Sequence, residues 1–339
     1  MSLLANEVHY RLKDNSLIKI TEMIKWEGLR EKMGGLGRSG YGPSGYDPLG
    51  MLKALILQGW HSLSDLELEE AIKVRMDFMA ITNLLSVPDH TTLCRFRNLL
   101  IKQGIFEFLL EEVNHQLEEL GLKVEKSKGA IVDATIIQSA ARPRKEIEAM
   151  PEDGCESEVV YEIKKGTQEV LSKDPDSTWL KKGRKSYFGY KGFAITDAED
   201  GYIDKVAVTP ANKSELKELE SIMKGRQDKR LYADKGYASE DNKGLLRSKG
   251  IKNAIMEKAK KNKPLSHWQK VFNKLISKVR YRVEQCFGTL KRRFRFTRAS
   301  YMTQKKVEAQ MLIKAICFNL LKASNKAKIW KITPKIRLV

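Results

Sequence analysis

Histidine and cysteine are scarce in this chain, with five and four residues in 339. Cys94, Cys155, Cys286 and Cys317 stand far apart, and no pair has metal-ligand spacing. A zinc finger or ribbon is therefore excluded, and so few imidazoles argue against zinc-dependent hydrolysis. Such sparse thiols fit packing roles in a reducing, cytoplasmic compartment. No apolar run has the length of a bilayer span. The opening MSLLANEVHYRLKDN lacks a basic stretch followed by an apolar core, so no secretory signal is expected. Also missing are an internal repeat, a GxSxG elbow, a Walker motif and a Cys–His nucleophile signature. Residues 33–46, MGGLGRSGYGPSGY, hold six glycines but not the Lys and Ser/Thr of a phosphate cradle. They read as a flexible loop or arm.

Acids are the scarcest feature of the C-terminal third. From Asn242 to Val339 there are 27 Lys or Arg against three acids, Glu257, Glu284 and Glu308. That tract carries +24 of a chain whose net charge is +19, which leaves about −5 for the first 241 residues. So polarised a chain implies a polyanionic partner, nucleic acid before an anionic membrane, because the aromatics in the tract do not form a clean amphipathic face.

With 42% apolar residues the chain can bury a real core. From Pro48 to about Gly121 the apolar period is helical, with capping residues at Ser64, Asp89 and Thr91. Short helices joined by tight turns suit either an ordinary bundle or a helix-turn-helix DNA reader. In the second case PDHTTLCRFRNLL is the candidate recognition helix, with Arg95 and Arg97 facing DNA. After KVEKSKG, which ends at Gly129, the period changes. AIVDATIIQSA, SYFGYKGFAITD, YIDKVAVTPA, KRLYADKGY and IKNAIM read as strands, the second and third joined across AEDG. Amphipathic helices separate the later strands, and long helices are expected from about Val271 to Phe294 and from about Lys305 to Ala323. Residues 141–186 show no strong periodicity and read as a loop or insertion. A hairpin followed by alternating strands and helices predicts an α/β fold with a mixed sheet flanked by helices.

Three carboxylates stand out. Asp133 lies inside an apolar strand, where a carboxylate pairs with a cation, binds a metal or titrates. Asp234 lies at the C-terminal end of a strand, where α/β ligands collect, although a turn-forming Asp before Gly236 is the plainer reading. Glu284 is the one acid in SKVRYRVEQCFGTLKRRFRFTR, beside the apolar stripe Ile276, Val279, Val283, Phe287, Leu290 and Phe294. Arg280, Lys291 and Arg295, at −4, +7 and +11, share its face, and an Arg280–Glu284 pair of a few tenths of a kcal/mol is the plainer explanation (about 0.2–0.5). Together, isolated carboxylates in a basic field suit a hard divalent cation acting on a phosphodiester.

IVDATIIQSA, YADKGYAS and RYRVEQCFGTLKRRF, in this order, resemble the catalytic signatures of bacterial insertion-sequence transposases of the IS-five type, which have a DDE core. The Arg280–Glu284–Lys291 spacing matches, whereas Ser277 stands where the related pattern often has Tyr. The likeness extends to YFGYKGFAITD, VTPANKSE and the helical segment from Asp47 to Leu100. The resemblance implies an RNase H-like catalytic domain with an N-terminal all-helical domain. It implies Asp133, Asp234 and Glu284 as catalytic metal ligands for Mg²⁺, with Mn²⁺ as a substitute. Arg280, Lys291, Arg292, Arg295, Arg95, Arg97, Lys235, Tyr190 and Lys191 are the expected DNA contacts. The partners would be terminal inverted repeats and target DNA, bound by a homodimer or larger assembly at the bacterial nucleoid. Expected boundaries are an arm and Gly-rich loop (1–47), a helical DNA-binding or dimerisation domain (48–125), a catalytic domain (126–325) and a basic tail (326–339). A metal-dependent nuclease without strand transfer and a non-catalytic DNA-binding regulator are the alternatives.

Overall fold

A computed structural model describes residues 12, 15–33, 45–125, 127–141, 150–151, 159–162, 173–259 and 263–329. Most of the Gly-rich loop, much of the 141–186 insertion and the end of the basic tail lie outside the described residues. The chain divides into two compact units, Met1–Lys123 with Ile313–Val339, and Val124–Leu312.

The first unit is helical: α1 (Ser16–Met23), α2 (Glu27–Lys32), α3 (Pro48–His61), α4 (Asp65–Val74), α5 (Met76–Thr82), α6 (His90–Lys102) and α7 (Ile105–Glu119). Asp47 caps α3, with Pro48 in its first turn. A Ser64–Glu67 capping box starts α4, and Asp89 caps α6 through the Thr92 amide. α3 is buried nearly all round, so it serves as the core of this unit. A Cβ at Gly59 would lie 2.3 Å from Ile313 Cγ2, so glycine permits the close approach of residues 313 onward. Lys314 Nζ then donates to Gly59 O at 2.8 Å and Ser62 Oγ at 2.9 Å, and Asn319 Nδ2 donates to Asn114 Oδ1 at 2.7 Å. These bonds draw residues 313–329 into the helical unit, earlier than the boundary expected near 325.

The recognition-helix expectation needs correction at Arg97. On α6 the residues at steps of three and four, Leu93, Arg97 and Leu100, are all buried. Arg97 therefore points inward, where it forks onto both Asp65 carboxylate oxygens at 2.7 Å and reaches Gln58 Oε1 at 3.3 Å. It is a core ion pair, with nothing left to offer a base or phosphate. Arg95, on the outer face, is exposed.

The second unit is a mixed sheet with helices. Its strands are β1 (Ala130–Gln138), β2 (Met150–Pro151), β3 (Val159–Glu162), β4 (Thr178–Lys182), β5 (Lys185–Asp197), β6 (Ile203–Pro210), β7 (Arg230–Ala233) and β8 (Lys252–Ile255). Its helices are α8 (Glu215–Ile222), α9 (Glu240–Ser248), α10 (His267–Arg292) and the start of α11 (Gln304–Ile329). The central order is β6-β5-β1-β7-β8, antiparallel from β6 to β1 and parallel from β1 to β8. This is the RNase H-like mixed sheet that the resemblance implies. β1 sits in the middle of the sheet, and its burial is near-continuous.

On one face Ala130, Val132, Phe193 and Ile195 pack with Leu219 and Ile222 of α8 and Leu246 of α9. The opposite face receives α10, against β1, β5 and β7. There Gly192 matters: a Cβ would meet Ile137 Cδ1 at 2.6 Å and Met311 Sδ at 2.9 Å. At the β5–β6 turn, the Asp197 carboxylate accepts from the amides of Glu199, Asp200, Gly201 and Tyr202. Part of the expected insertion is ordered sheet: β4 pairs with the first residues of β5, turning at Gly183 with φ 60°.

Candidate active site

Parallel pairing of β1 with β7 aligns Ala130 with Leu231 and Ile131 with Tyr232. Two residues further along each strand come Asp133 and Asp234, so the register sets them side by side on the face that α10 covers. Asp234 leaves the strand with φ −71° and ψ 167° and caps the 3₁₀ turn Lys235–Tyr237, its Oδ1 accepting from the Lys235 amide at 2.7 Å. Asp133 Oδ1 accepts from the Ala134 amide at 2.8 Å. Its other oxygen faces the helix.

α10 begins at a Ser266–Gln269 capping box and buries Ile276, Val283, Phe287 and Leu290, as its periodicity requires. Arg280 lies at the edge of that stripe. Its Nη2 donates to Asp133 Oδ2 at 2.7 Å, and its Nη1 lies 3.6 Å from Asp234 Oδ1. One guanidinium therefore joins two carboxylates from two strands. The Arg280 side chain is only 9% exposed, against 16% for Asp133 and 39% for Asp234. Burial pushes the Asp133 carboxyl above the usual carboxylate range, Arg280 pulls it back, and the nearby Asp234 charge pushes it up again. Arg280 Nε is buried without a hydrogen-bond partner among the described residues.

Glu284 lies one helical turn beyond Arg280. It is exposed, and it has no hydrogen bond or ion pair among the described residues. The simple i, i+4 pair does not form, because Arg280 reaches across to the sheet instead. Nor do the three acids gather: among the described residues no three His, Cys, Asp or Glu side chains lie together closely enough to hold a metal ion. The structure brings Asp133 and Asp234 together around a cation and leaves Glu284 free on the same helix face as Arg280. The donors at hand are carboxylate oxygens, the chemistry a hard divalent cation prefers, and the guanidinium shows that the paired aspartates accept a cation.

The expected DNA contacts divide. Lys235, Arg292 and Arg295 are exposed, and Lys291 is half-buried on the Arg280–Glu284 face. Burial lowers the Lys291 pKa, and the charge of Lys182 lowers it further. Arg280 is not free for phosphate in this arrangement, being engaged by the aspartates. Tyr190 and Lys191 also need correction. Tyr190 is wholly buried and hands its hydroxyl hydrogen bond to Asp174. Lys191, 2% exposed, donates to Lys213 O at 2.9 Å and lies 3.6 Å from Glu215. Both lie where β5 is paired with β1 on one side and β6 on the other, and both side chains are buried. The sequence reading missed the β4–β5 turn, where Lys181, Lys182, Arg184 and Lys185 flank Gly183. Lys182, Arg184 and Lys185 are exposed, and none of the four cations has an acidic partner among the described residues. Its signal was present as KKGRK, hidden inside a segment read as irregular.

Residues 125–320 match the family model described as a Transposase DDE domain, and residues 6–99 match that of a Transposase domain (DUF772). The transposase for insertion sequence element IS1106 of Neisseria meningitidis serogroup B is 44% identical over 233 residues, 68% of this chain and 77% of that protein. A piggyBac transposase in a synaptic complex with hairpin DNA is also similar, with a TM-score of 0.44 and 8% identity over 93% of this chain and 74% of that one. Among the described residues no helix is long and apolar enough to cross a membrane. Transposase DDE domains process DNA and depend on a divalent metal. The chain belongs to the bacterial insertion-sequence transposases that carry a DDE domain.

Proposed function

We propose that this transposase, of the IS-five type, hydrolyses the phosphodiester at each end of its element and joins the freed 3′-hydroxyls to target DNA. The observation that carries this reading is the Asp133–Asp234 pair, set side by side by strand register and already gathered around one positive charge. Asp133, Asp234 and Glu284 would hold the metal, Mg²⁺ first and Mn²⁺ as its substitute. When bound, such a cation acidifies the attacking water or sugar hydroxyl and neutralises the leaving oxygen. The chain's own residues do the rest. The sheet fixes two carboxylates with backbone precision, and α10 carries the third donor. The cations Lys291, Arg292, Arg295, Lys235 and Arg95 hold backbone phosphates, which orients the scissile bond without reading sequence. Two ends must be joined in one event, so the working form on inverted repeats and target DNA is a dimer or larger assembly at the nucleoid.

The test is an assay with a pre-cleaved element end, a plasmid and Mg²⁺. Covalent joining of the end to the plasmid is expected. Hydrolysis without joining would reduce the protein to a nuclease. Binding with no Mg²⁺- or Mn²⁺-dependent cleavage would reduce it to a regulator.

The β4–β5 turn would extend this DNA-binding surface, since its four cations have no acidic partner among the described residues. Replacing Lys181, Lys182, Arg184 and Lys185 with Gln should weaken binding to all DNA sequences alike. The slope of log K against log salt should become shallower by about 0.9 for each phosphate no longer neutralised, roughly two to four in total. An unchanged slope, measured by fluorescence anisotropy from low to moderate salt, would remove this turn from the interface.

A further inference from the structure

We infer that Arg280 is a built-in counter-cation: it holds Asp133 and Asp234 together when no metal is present, and it has to release them for metal to bind. This inference rests on the proposed metal-binding role of the two aspartates and adds a residue that governs access to them.

Two carboxylates set side by side on neighbouring strands, Asp133 within β1 and Asp234 just past the end of β7, repel each other, and burial strengthens that repulsion. Arg280 answers it from α10, with Nη2 at 2.7 Å from Asp133 and Nη1 at 3.6 Å from Asp234. Its planar fork reaches both, which the point charge of a lysine would not do equally well. The remaining contacts of the guanidinium are weak: Nε has no hydrogen-bond partner among the described residues, and Nη1 meets only Met256 Sδ at 3.7 Å besides Asp234. Arg280 is therefore held chiefly by the two acids, and a cation that takes their oxygens removes its reason to stay. Glu284, one turn along and without a hydrogen bond or ion pair among the described residues, offers a nearby carboxylate, and DNA phosphate offers another anion. The phosphate contact expected of Arg280 then becomes available after the aspartates have been relinquished. Arg280 is in this sense a positioning residue.

Metal affinity and metal-free stability must then be linked through Arg280, because whatever binds the native state more tightly also stabilises it. The experiment uses the full chain without DNA, so it reads binding and stability alone. Mn²⁺ is titrated by electron paramagnetic resonance, and melting is followed with and without saturating Mn²⁺, for the wild type, Arg280→Gln and Arg280→Lys. Arg280→Gln should melt lower without metal, bind Mn²⁺ about tenfold more tightly and regain most of the deficit at saturation. Arg280→Lys keeps the charge but cannot span both acids, so its affinity should fall between the two.

Equal affinities in all three proteins, with the same melting deficit with and without Mn²⁺, would make Arg280 a purely structural residue and overturn the inference, while the metal-site reading stands. An Arg280→Lys variant identical to the wild type would reduce Arg280 to a background charge and overturn it too. Failure of both the wild type and Arg280→Gln to bind Mn²⁺ overturns the inference and the proposed function together, whereas binding by Arg280→Gln alone supports the inference. If Arg280→Gln does not fold in the absence of metal, recovery of folding by Mn²⁺ supports the inference. Without such recovery, the comparison of Arg280→Lys with the wild type decides.

Discussion

Glu284→Gln is expected to abolish DNA cleavage, lowering the rate by about a thousandfold or more, while leaving DNA affinity within a few-fold of wild type. The two halves of that expectation have separate grounds. Gln is nearly isosteric with Glu and has a similar helix propensity, so α10 should not change. Glu284 is exposed and unpartnered among the described residues, so stability should move by no more than about 0.5 kcal/mol. The substitution also removes a negative charge from a basic surface, which if anything favours DNA. What it takes away is an anionic oxygen donor, and a neutral amide is a poor substitute for a hard cation. Cleavage of a labelled element end, anisotropy with the same DNA and a melting curve measure the three quantities. Wild-type cleavage in the variant would remove Glu284 from the site. Loss of binding in parallel with cleavage would instead make it part of the DNA interface.

The geometry gives this substitution its diagnostic value. An i, i+4 Arg280–Glu284 pair would have explained the lone acid of the basic segment as a helix-stabilising contact. Arg280 is instead committed to Asp133 and Asp234, from different strands of the sheet. An exposed glutamate with no hydrogen bond or ion pair among the described residues contributes little to the stability of α10, which suits the site role proposed for it. Two acids are set side by side by strand register and the third lies on a helix, and among the described residues the three do not gather; under the proposed function a metal ion would draw them together.

Much of this was legible in the sequence, for identifiable reasons. β1, β5, β6, β7 and β8 announce themselves because they hold β-branched, aromatic or other apolar residues in short runs bounded by turn signals. α10 does so because its core stripe repeats at steps of three and four over about four turns. Asp133 and Asp234 could be singled out locally, one by its apolar surroundings and one by its place at a strand end. That they are neighbours could not, because it depends on the parallel register of strands about a hundred residues apart in the chain. The errors share one cause. Tyr190, Lys191 and Arg97 carry groups that suit DNA, but whether a polar group faces solvent is decided by packing partners distant in sequence: Asp174, Glu215 and Asp65. The β4–β5 turn was missed for the converse reason. Its flanking residues are largely polar, so they lack the alternation that marks a half-buried strand, and what shows them as sheet is the pairing of β4 with the first residues of β5.

Asp65→Ala should destabilise the helical unit by about 3–5 kcal/mol, the largest stability loss expected of a surface-accessible residue here. The reason lies in what is left behind. Arg97 is 3% exposed, and both oxygens of Asp65 neutralise its guanidinium. Truncating the acid strands a charge in the core with the Gln58 amide oxygen as a poor replacement. Replacing Arg97 by Met should be much milder, since the charge leaves with the side chain and an apolar chain of similar length fills the α6 face between Leu93 and Leu100. This asymmetry separates a core ion pair from a DNA contact: if Arg97 read DNA, Arg97→Met would damage binding and spare stability. Acid titration supplies an independent check. Burial pushes the Asp65 carboxyl up, but hydrogen bonds from Arg97 and Gln58 and the charge of Arg97 outweigh it, so the folded pKa lies below the ordinary 3.8. A carboxyl depressed by folding adds stability above its unfolded pKa and loses it as the pH falls through the folded one. The wild type should therefore lose part of its stability below about pH 4, and Asp65→Ala should show a shallower acid limb from a lower plateau. Denaturant melts from pH 7 to pH 3 measure both, and parallel acid limbs in the two proteins would show that the Asp65–Arg97 pair contributes nothing to folding.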